Sequence, residues 1–168
     1  MYQRLSISLL LFTALAVADS VGGAPEQSFE GKWNIDKASS TGTVTPPDGL
    51  RQTIKKHGDK LAVESVFKEP SNAIVPLLYL GIMTTTLNMN LDGSETVNQI
   101  GPYMQTCKTT IDGNKMSTEW VAKHTSGEVV NGHWVRTISD DGKRMTLEIQ
   151  ESSTQGQQGT ATLQFTKK

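Results

Sequence analysis

The chain of 168 residues has the length of one domain with some extra, and a folded part of roughly 140 residues would bury about two thirds of its unfolded surface. Only 36% of the residues are apolar, which favours a thin-walled β structure over a solid helical core. The formal charge of −1, with no basic run, argues against nucleic acid as a partner.

The N-terminal residues 1–18 have the pattern of a secretory signal peptide. Arg4 precedes an apolar run of about fourteen residues, and Ala16 and Ala18 form a small-x-small ending. We expect cleavage after Ala18, a flexible lead-in over 19–27, and a secreted or periplasmic mature protein. An uncleaved anchor is less favoured, because a membrane span needs about twenty apolar residues. No later segment is long and apolar enough, so the mature protein is expected to have no stable membrane span.

The first predicted strand of the mature chain is SFEGKWNID, from Ser28 to Asp36. Its residues alternate between an apolar and a polar face, and Phe29, Gly31 and Trp33 share the apolar one. A glycine weakens a strand unless something needs the space that a side chain would fill. We therefore expect Trp33 to be buried and Gly31 to make room for a neighbouring segment.

Short alternating runs follow, separated by tight-turn signals. HGDK, LDGS, IDGN and DDGK place Asp-Gly or Gly-Asp pairs between the runs, which is the strongest local signal for a β-hairpin. The pattern predicts about ten strands, at Ser28–Asp36, Arg51–Lys56, Lys60–Lys68, Thr85–Leu91, Glu95–Ile100, Tyr103–Ile111, Lys115–Lys123, Glu128–Ile138, Arg144–Glu151 and Thr160–Thr166. Such an antiparallel up-and-down meander most simply closes into an all-β barrel, because closure removes the sheet edges. A two-sheet sandwich is the alternative.

Two segments interrupt this rhythm. Lys37–Gly49 is rich in Ser, Thr and Pro and is predicted to be a connector, because Pro46 and Pro47 cannot belong to a central strand. Glu69–Thr86 is the most apolar stretch after the leader, but it lacks strand-like alternation. We predict a short helix or loop at about 70–84 that covers a barrel opening, with a buried strand as the alternative.

The first strand contains Gly31-Lys32-Trp33, which resembles the Gly-x-Trp signature on the first strand of lipocalins and related calycin barrels. With the leader, the meander and the ending WVRTISDDGKRMTLEIQ…GTATLQF, the chain resembles small exported lipocalin-like, or fatty-acid-binding-protein-like, bacterial proteins over nearly all of residues 28–168. The Thr-Asp-Tyr of the second lipocalin motif is absent, so the wider calycin superfamily fits better than lipocalins proper.

The resemblance implies a single closed barrel over 28–168, with about eight to ten strands. In these families the first-strand Trp plugs one end and packs beneath an Arg from a late strand. Carried over, Trp33 is the plug, and Gly31 leaves space where the N-terminal segment crosses the barrel end. Both are then structural signature residues.

No catalytic or metal-binding constellation stands out in the sequence. The three histidines, His57, His124 and His133, lie at unrelated spacings, and a metal site needs three or four converging ligands. Cys107 is the only cysteine, so it cannot form an internal disulfide and is expected to be an inert strand residue. We predict no cofactor, no metal and no enzyme activity, with an isomerase or cyclase as a less favoured alternative.

The strand EVVNGHWVRTIS is the most suggestive of ligand binding. One of its faces is apolar apart from Arg136, and an inward-facing guanidinium is costly without a partner. The partner is either the ring of Trp33, by a cation–π contact, or a ligand carboxylate gripped by two hydrogen bonds. Outward solvation of Arg136 is the third possibility.

Strand parity then assembles a candidate ligand-binding set of Met116, Trp120, Trp134 and Arg136. The favoured function is an exported, non-catalytic β-barrel that binds a small apolar or amphipathic molecule in its interior and acts as a monomer. The alternative is a protein-interaction or envelope module whose barrel is filled with its own side chains.

Overall fold

The computed structural model describes residues 28–43, 48–67 and 84–168, which form ten β-strands and no helix. In chain order the strands are β1 (Gly31–Gly42), β2 (Arg51–His57), β3 (Lys60–Val66), β4 (Thr84–Asn90), β5 (Asp92–Ile100), β6 (Tyr103–Asp112), β7 (Lys115–His124), β8 (Val129–Ile138), β9 (Arg144–Ser153) and β10 (Gln158–Lys167). The predicted leader, the lead-in and nearly all of the predicted covering segment lie outside the described residues.

The strands form one antiparallel sheet in the order β4-β3-β2-β1-β10-β9-β8-β7-β6-β5. Every strand pairs with its neighbour in sequence except β4 and β5, and β1 also pairs with β10. The turn between β6 and β7 shows why Asp-Gly pairs mark the hairpins: Gly113 has a φ of 56°, which other residues rarely adopt. The predicted up-and-down meander is confirmed, and the sandwich alternative is wrong.

The sheet curls into a nearly closed barrel in which side chains, not a backbone ladder, join the two edge strands. The backbone N–H of Asn88 donates to Oδ1 of Asn98 (2.8 Å), and Nδ2 of Asn98 donates to the carbonyl of Asn88 (3.0 Å). The N–H of Asn90 donates to Oγ1 of Thr96 (3.0 Å). These bonds satisfy edge groups of β4 that would otherwise be free to pair with another chain.

Strand β1 is longer than predicted. It continues to Gly42 through an irregularity between Asp36 and Thr41. Within it, Oγ of Ser40 donates to the carbonyl of Asp36 (2.8 Å) and accepts the N–H of Gln164 in β10 (3.0 Å). A side chain thus takes over a ladder bond where the register shifts, as in a β-bulge. The prediction that a connector begins at Lys37 is therefore wrong, because short polar side chains keep this stretch attached to the sheet.

The inward-facing side chains of all ten strands form one continuous core. Its largest fully buried members are Trp33, Leu50, Ile54, Met89, Ile100, Met116, Trp134, Arg136, Ile138, Met145, Leu147 and Phe165. The alternation of buried and exposed residues along β7 and β9 is the parity that the sequence shows. Burial of this apolar surface is the main favourable term for folding.

Trp33 lies near the start of β1, opposite Lys167 of the last strand. Its side chain is fully buried, and its indole N–H donates to the carbonyl of Phe29 (2.9 Å). The cation over its ring is Nζ of Lys167, 5.1 Å from the ring centroid. The expectation that Arg136 fills this role is wrong, because the antiparallel β1/β10 pairing places Lys167 directly opposite Trp33.

Gly31 makes room for the same lysine. A Cβ at this position would lie 2.6 Å from Cε of Lys167, and the glycine has a φ of +136°, a conformation that L side chains rarely adopt. The space left by the glycine therefore accommodates the last strand's side chain, where the sequence suggested a crossing N-terminal segment.

We expect Trp33→Ala to lower the free energy of unfolding by about 3–5 kcal/mol, because it removes a large buried ring and leaves a cavity. Urea unfolding followed by far-UV circular dichroism measures the change. Met104→Ala is the control, since Met104 is 47% exposed and its truncation should shift the midpoint little. An unchanged midpoint for the Trp33 variant would contradict its role as the plug.

Candidate functional site

The four predicted ligand-binding residues all face the barrel interior. Met116 and Trp120 lie on β7, and Trp134 and Arg136 lie on β8, with Met116 directly opposite Arg136 in the ladder. All four side chains are buried. The rings of Trp120 and Trp134 are in tilted contact, with centroids 5.0 Å apart.

Arg136 is 1% exposed, so outward solvation is wrong. Its guanidinium carbon lies 5.8 Å from the ring centroid of Trp134, within reach of a cation–π contact. Its Nε and Nη1 atoms have no hydrogen-bond partner among the described residues. The ion pairs found in that part of the chain, Lys37–Asp48 and Lys108–Glu95, lie on the surface. Arg136 is therefore a buried cation without a counter-ion there.

A second buried ionisable side chain, Glu151 on β9, also contacts Trp134. Its Oε1 accepts the indole N–H of Trp134 at 3.2 Å, while its Oε2 has no partner among the described residues. Burial raises the pKa of Glu151 to about 8, although the Trp134 hydrogen bond lowers it. The carboxyl group is thus mostly protonated at neutral pH.

Trp134 therefore separates a buried guanidinium from a buried carboxyl, and we call Trp120, Trp134, Arg136 and Glu151 the Trp134 cluster. Burial lowers the pKa of Arg136 to about 10, which still leaves it charged at neutral pH. Because Glu151 is mostly neutral under the same conditions, it does not balance that charge. The cluster carries a net positive charge in an apolar enclosure, where burying an ion costs several kcal/mol.

Gly132 sets the position of Trp120 in this cluster. A Cβ at Gly132 would lie 2.1 Å from Cζ2 and 2.7 Å from Nε1 of Trp120, so the indole ring lies against the backbone of β8 where only glycine fits. Nε1 of Trp120 is buried without a partner among the described residues. Gly132 is also the ladder partner of Glu151, which brings β9 next to the same ring.

An amide and a thiol continue the polar lining on the neighbouring strands. Nδ2 of Asn98 lies 3.4 Å from Oε1 of Gln105 and 3.7 Å from Sγ of Cys107. Nε2 of Gln105 has no partner among the described residues. Burial raises the pKa of Cys107 to about 11, so its thiol is protonated at neutral pH, in keeping with an inert strand residue.

Two of the three histidines, His124 and His133, lie within hydrogen-bond distance of a serine. His133 Nε2 lies 2.8 Å from Oγ of Ser117, and His124 Nδ1 lies 2.6 Å from Oγ of Ser126. Within residues 28–43, 48–67 and 84–168, no three His, Cys, Asp or Glu side chains come together as metal ligands.

A groove of about 780 Å³ crosses β5 to β10 and is lined largely by exposed residues, Lys108 and Glu119 among them. Trp120 and Glu151 also border it, although their side chains are 3% and 7% exposed. The groove lies on the outer side of the wall. The unpartnered polar atoms lie on inward-facing side chains, so the interior is the better candidate site.

The predicted set omits Glu151 and Gln105, although both share the parity of apolar neighbours. Glu151 follows Met145, Leu147 and Ile149 on the same face of β9. A carboxylate at the end of a predicted strand is usually exposed, so parity alone does not predict that Glu151 is buried.

Solved structures include several with the same architecture. Apo lipid binding protein 8 of Caenorhabditis elegans matches 83% of this chain and 95% of its own, with 10% identity and a TM-score of 0.56. Zebrafish ileal bile acid-binding protein complexed with cholic acid matches 83% and 98%, with 16% identity and a TM-score of 0.53. At these identities the likeness shows a shared fold, an antiparallel β-barrel.

A third solved structure similar to this chain is that of a secretory abundant heat soluble protein from Ramazzottius varieornatus. It matches 85% of this chain and 99% of its own, with 18% identity and a TM-score of 0.51. No protein-family model matches the chain, and no curated protein matches it either. Among the residues that the structure describes, no helix is long and apolar enough to span a membrane.

The raised pKa of Glu151 predicts how stability depends on pH. Its folded-state pKa of about 8 lies above the ordinary 4.5, so the folded protein keeps a proton that the unfolded chain releases. The stability that Glu151 contributes should be fully present below about pH 4.5 and should be lost, by up to about 1.4 kcal/mol per pH unit, as the pH rises to about 8. Glu151→Gln should remove this slope and stabilise the protein by about 2–4 kcal/mol at pH 8.

Urea unfolding at several pH values between 4.5 and 8 tests this prediction. Glu148→Gln is the matched control, because Glu148 lies on the same strand but is exposed, and this variant should keep the wild-type pH profile. Parallel profiles for the wild type and Glu151→Gln would show that Glu151 ionises normally in the folded protein.

Proposed function

We propose that this protein is an exported, non-catalytic barrel that binds a small amphipathic anion in its interior, with Arg136 as the partner of the anionic group. One observation carries the proposal: a guanidinium that is 1% exposed has two nitrogens without a partner among the described residues. A buried polar group left unpaired costs about 1–3 kcal/mol, and more when it is charged. A bound anion would remove that cost.

A carboxylate suits this position better than a neutral group. Its two oxygens match the donor geometry of a guanidinium, and such bonds are roughly twice as strong as neutral ones. The surrounding Met116, Leu147 and Trp134 side chains supply the apolar contact that the rest of an amphipathic molecule needs. Cholic acid, bound in the zebrafish structure of the same fold, is itself a carboxylic acid.

A second candidate function is an interaction module whose barrel is filled by its own side chains. The observation in its favour is that the inward-facing core residues are 0–5% exposed, which leaves little free interior surface among the described residues. In that case the interior polar groups are structural and partners bind the outer wall. Ligand titration separates the two candidates.

Arg136→Met should weaken binding of a long-chain fatty acid by roughly ten- to hundredfold, since charge-assisted hydrogen bonds contribute about 1.5–3 kcal/mol. The alcohol of the same chain length should lose much less, because its apolar contact remains. Trp120 and Trp134 lie in the interior, so quenching or enhancement of tryptophan fluorescence reports both titrations.

Arg144→Met is the control for a general loss of positive charge, because Arg144 is exposed. It should leave both affinities unchanged. Equal weakening of acid and alcohol by Arg136→Met would assign the residue to stability alone. If the wild type binds neither compound, the filled-barrel function takes precedence.

The export part of the proposal rests on the leader pattern of residues 1–18. Expression in a secreting host should give a soluble extracytoplasmic protein that begins at Asp19. Intact-mass measurement decides the point, and a membrane-associated species that retains Met1 would contradict it.

A further inference from the structure

Besides Arg136 and Gln52, three buried side chains have a polar atom without a hydrogen-bond partner among the described residues. These atoms are Nε1 of Trp120, Nε2 of Gln105 and Oε2 of Glu151. The three residues are 3%, 0% and 7% exposed. Native structures rarely leave such groups unpaired, so three in one region indicate that a group outside the described residues supplies their hydrogen-bond partners.

The ladder brings these three residues together. Trp120 is opposite Gly132, Gly132 is opposite Glu151, and on the other side Trp120 is opposite Cys107, two residues from Gln105. Nε1 of Trp120 lies 2.7 Å from the position that a Cβ of Gly132 would take. The indole ring fills the space that a side chain at Gly132 would take, so its N–H lies beside Gly132, the ladder partner of Glu151.

Glu151 contributes a donor and not a second negative charge. Its Oε1 accepts the N–H of Trp134, which leaves Oε2 as the oxygen that carries the proton. The raised pKa of the group, about 8, agrees with this assignment at neutral pH. Trp120, Gln105 and protonated Glu151 thus all present donors, and a pure acceptor matches them best.

We propose that Trp120, Glu151 and Gln105 form a second polar subsite, which binds an uncharged oxygen of the ligand, such as a ketone, ether or hydroxyl oxygen. The proposal rests on the proposed function, since it concerns the same interior ligand. Arg136 lies four positions from Gly132 on β8, about 13 Å along a strand. The ligand is therefore an oxygenated amphipathic acid, with its second oxygen well removed from the anionic end.

The selectivity of such a site would come from the unpaired donors. A plain hydrocarbon chain passing the subsite leaves the three donors unsatisfied, whereas an oxygen acceptor at the right depth pairs with one or two of them. A site built to hydrogen-bond a ligand group discriminates strongly against the analogue that lacks it. A buried water would satisfy the donors equally, and then the ligand oxygen would bring no gain.

The test compares octadecanoate with an oxo-octadecanoate whose ketone lies near mid-chain, by tryptophan fluorescence and calorimetry. The wild type should bind the oxo acid about tenfold more tightly. Trp120→Phe keeps an aromatic ring but removes the indole N–H, and Glu151→Met removes the second donor. Each should reduce the preference to less than about threefold. Glu151→Gln retains a donor and should keep the preference.

The outcomes separate this inference from the proposed function. If both acids bind with equal affinity, and Arg136→Met weakens both, the second subsite is overturned while the anion site stands. A preference that survives both Trp120→Phe and Glu151→Met also overturns it. If neither acid binds the wild type, the inference and the proposed function fail together.

Discussion

The buried charge of Arg136 is the constraint on which the functional account depends. The ten strands around it use their backbone groups in ladders, so the wall cannot solvate a guanidinium. Trp134 offers only a ring face at 5.8 Å, and Glu151, the only other buried Asp, Glu, Lys, Arg or His side chain in the described part of the chain, is mostly protonated at neutral pH. Charge balance must therefore come from outside the described wall. In the function we propose, an amphipathic anion supplies it and buries its apolar part against the same aromatic residues.

The interactions that hold the barrel closed differ from one part of the wall to another. Trp33 is held by contacts to Phe29 and Lys167, and backbone ladders hold most of the wall. Between β4 and β5 the hydrogen bonds all involve side chains, those of Asn90, Thr96 and Asn98, and each contributes about 1 kcal/mol net. Because no backbone ladder joins these two strands, local opening there breaks fewer backbone hydrogen bonds than opening between two strands of a ladder.

Most of the fold can be predicted from local sequence patterns, whereas the pairing of strands that are distant in the sequence cannot. Strand parity and Asp-Gly turns are encoded within a few residues, so the strands and the inward face that carries Trp134 and Arg136 follow directly from the sequence. The partner of Trp33 depends on the register between the first and last strands, which no local pattern specifies. For the same reason the sequence does not decide whether Arg136 contacts the Trp33 ring, a ligand carboxylate or solvent. Glu151 alternates in step with the inward-facing residues of its strand. Because carboxylates are usually exposed, this alternation alone does not predict that Glu151 is buried, and its protonation depends on that burial.

Native mass spectrometry of gently purified protein shows whether the barrel interior holds an anion. The account predicts that the wild type carries one small organic acid, released on denaturation and identifiable by its mass, and that Arg136→Met emerges largely free of it while remaining folded by circular dichroism. A wild-type protein that emerges without any small molecule, and that still binds none after incubation with a mixture of amphipathic acids, would contradict the account. The interior guanidinium would then be a structural feature of a filled barrel.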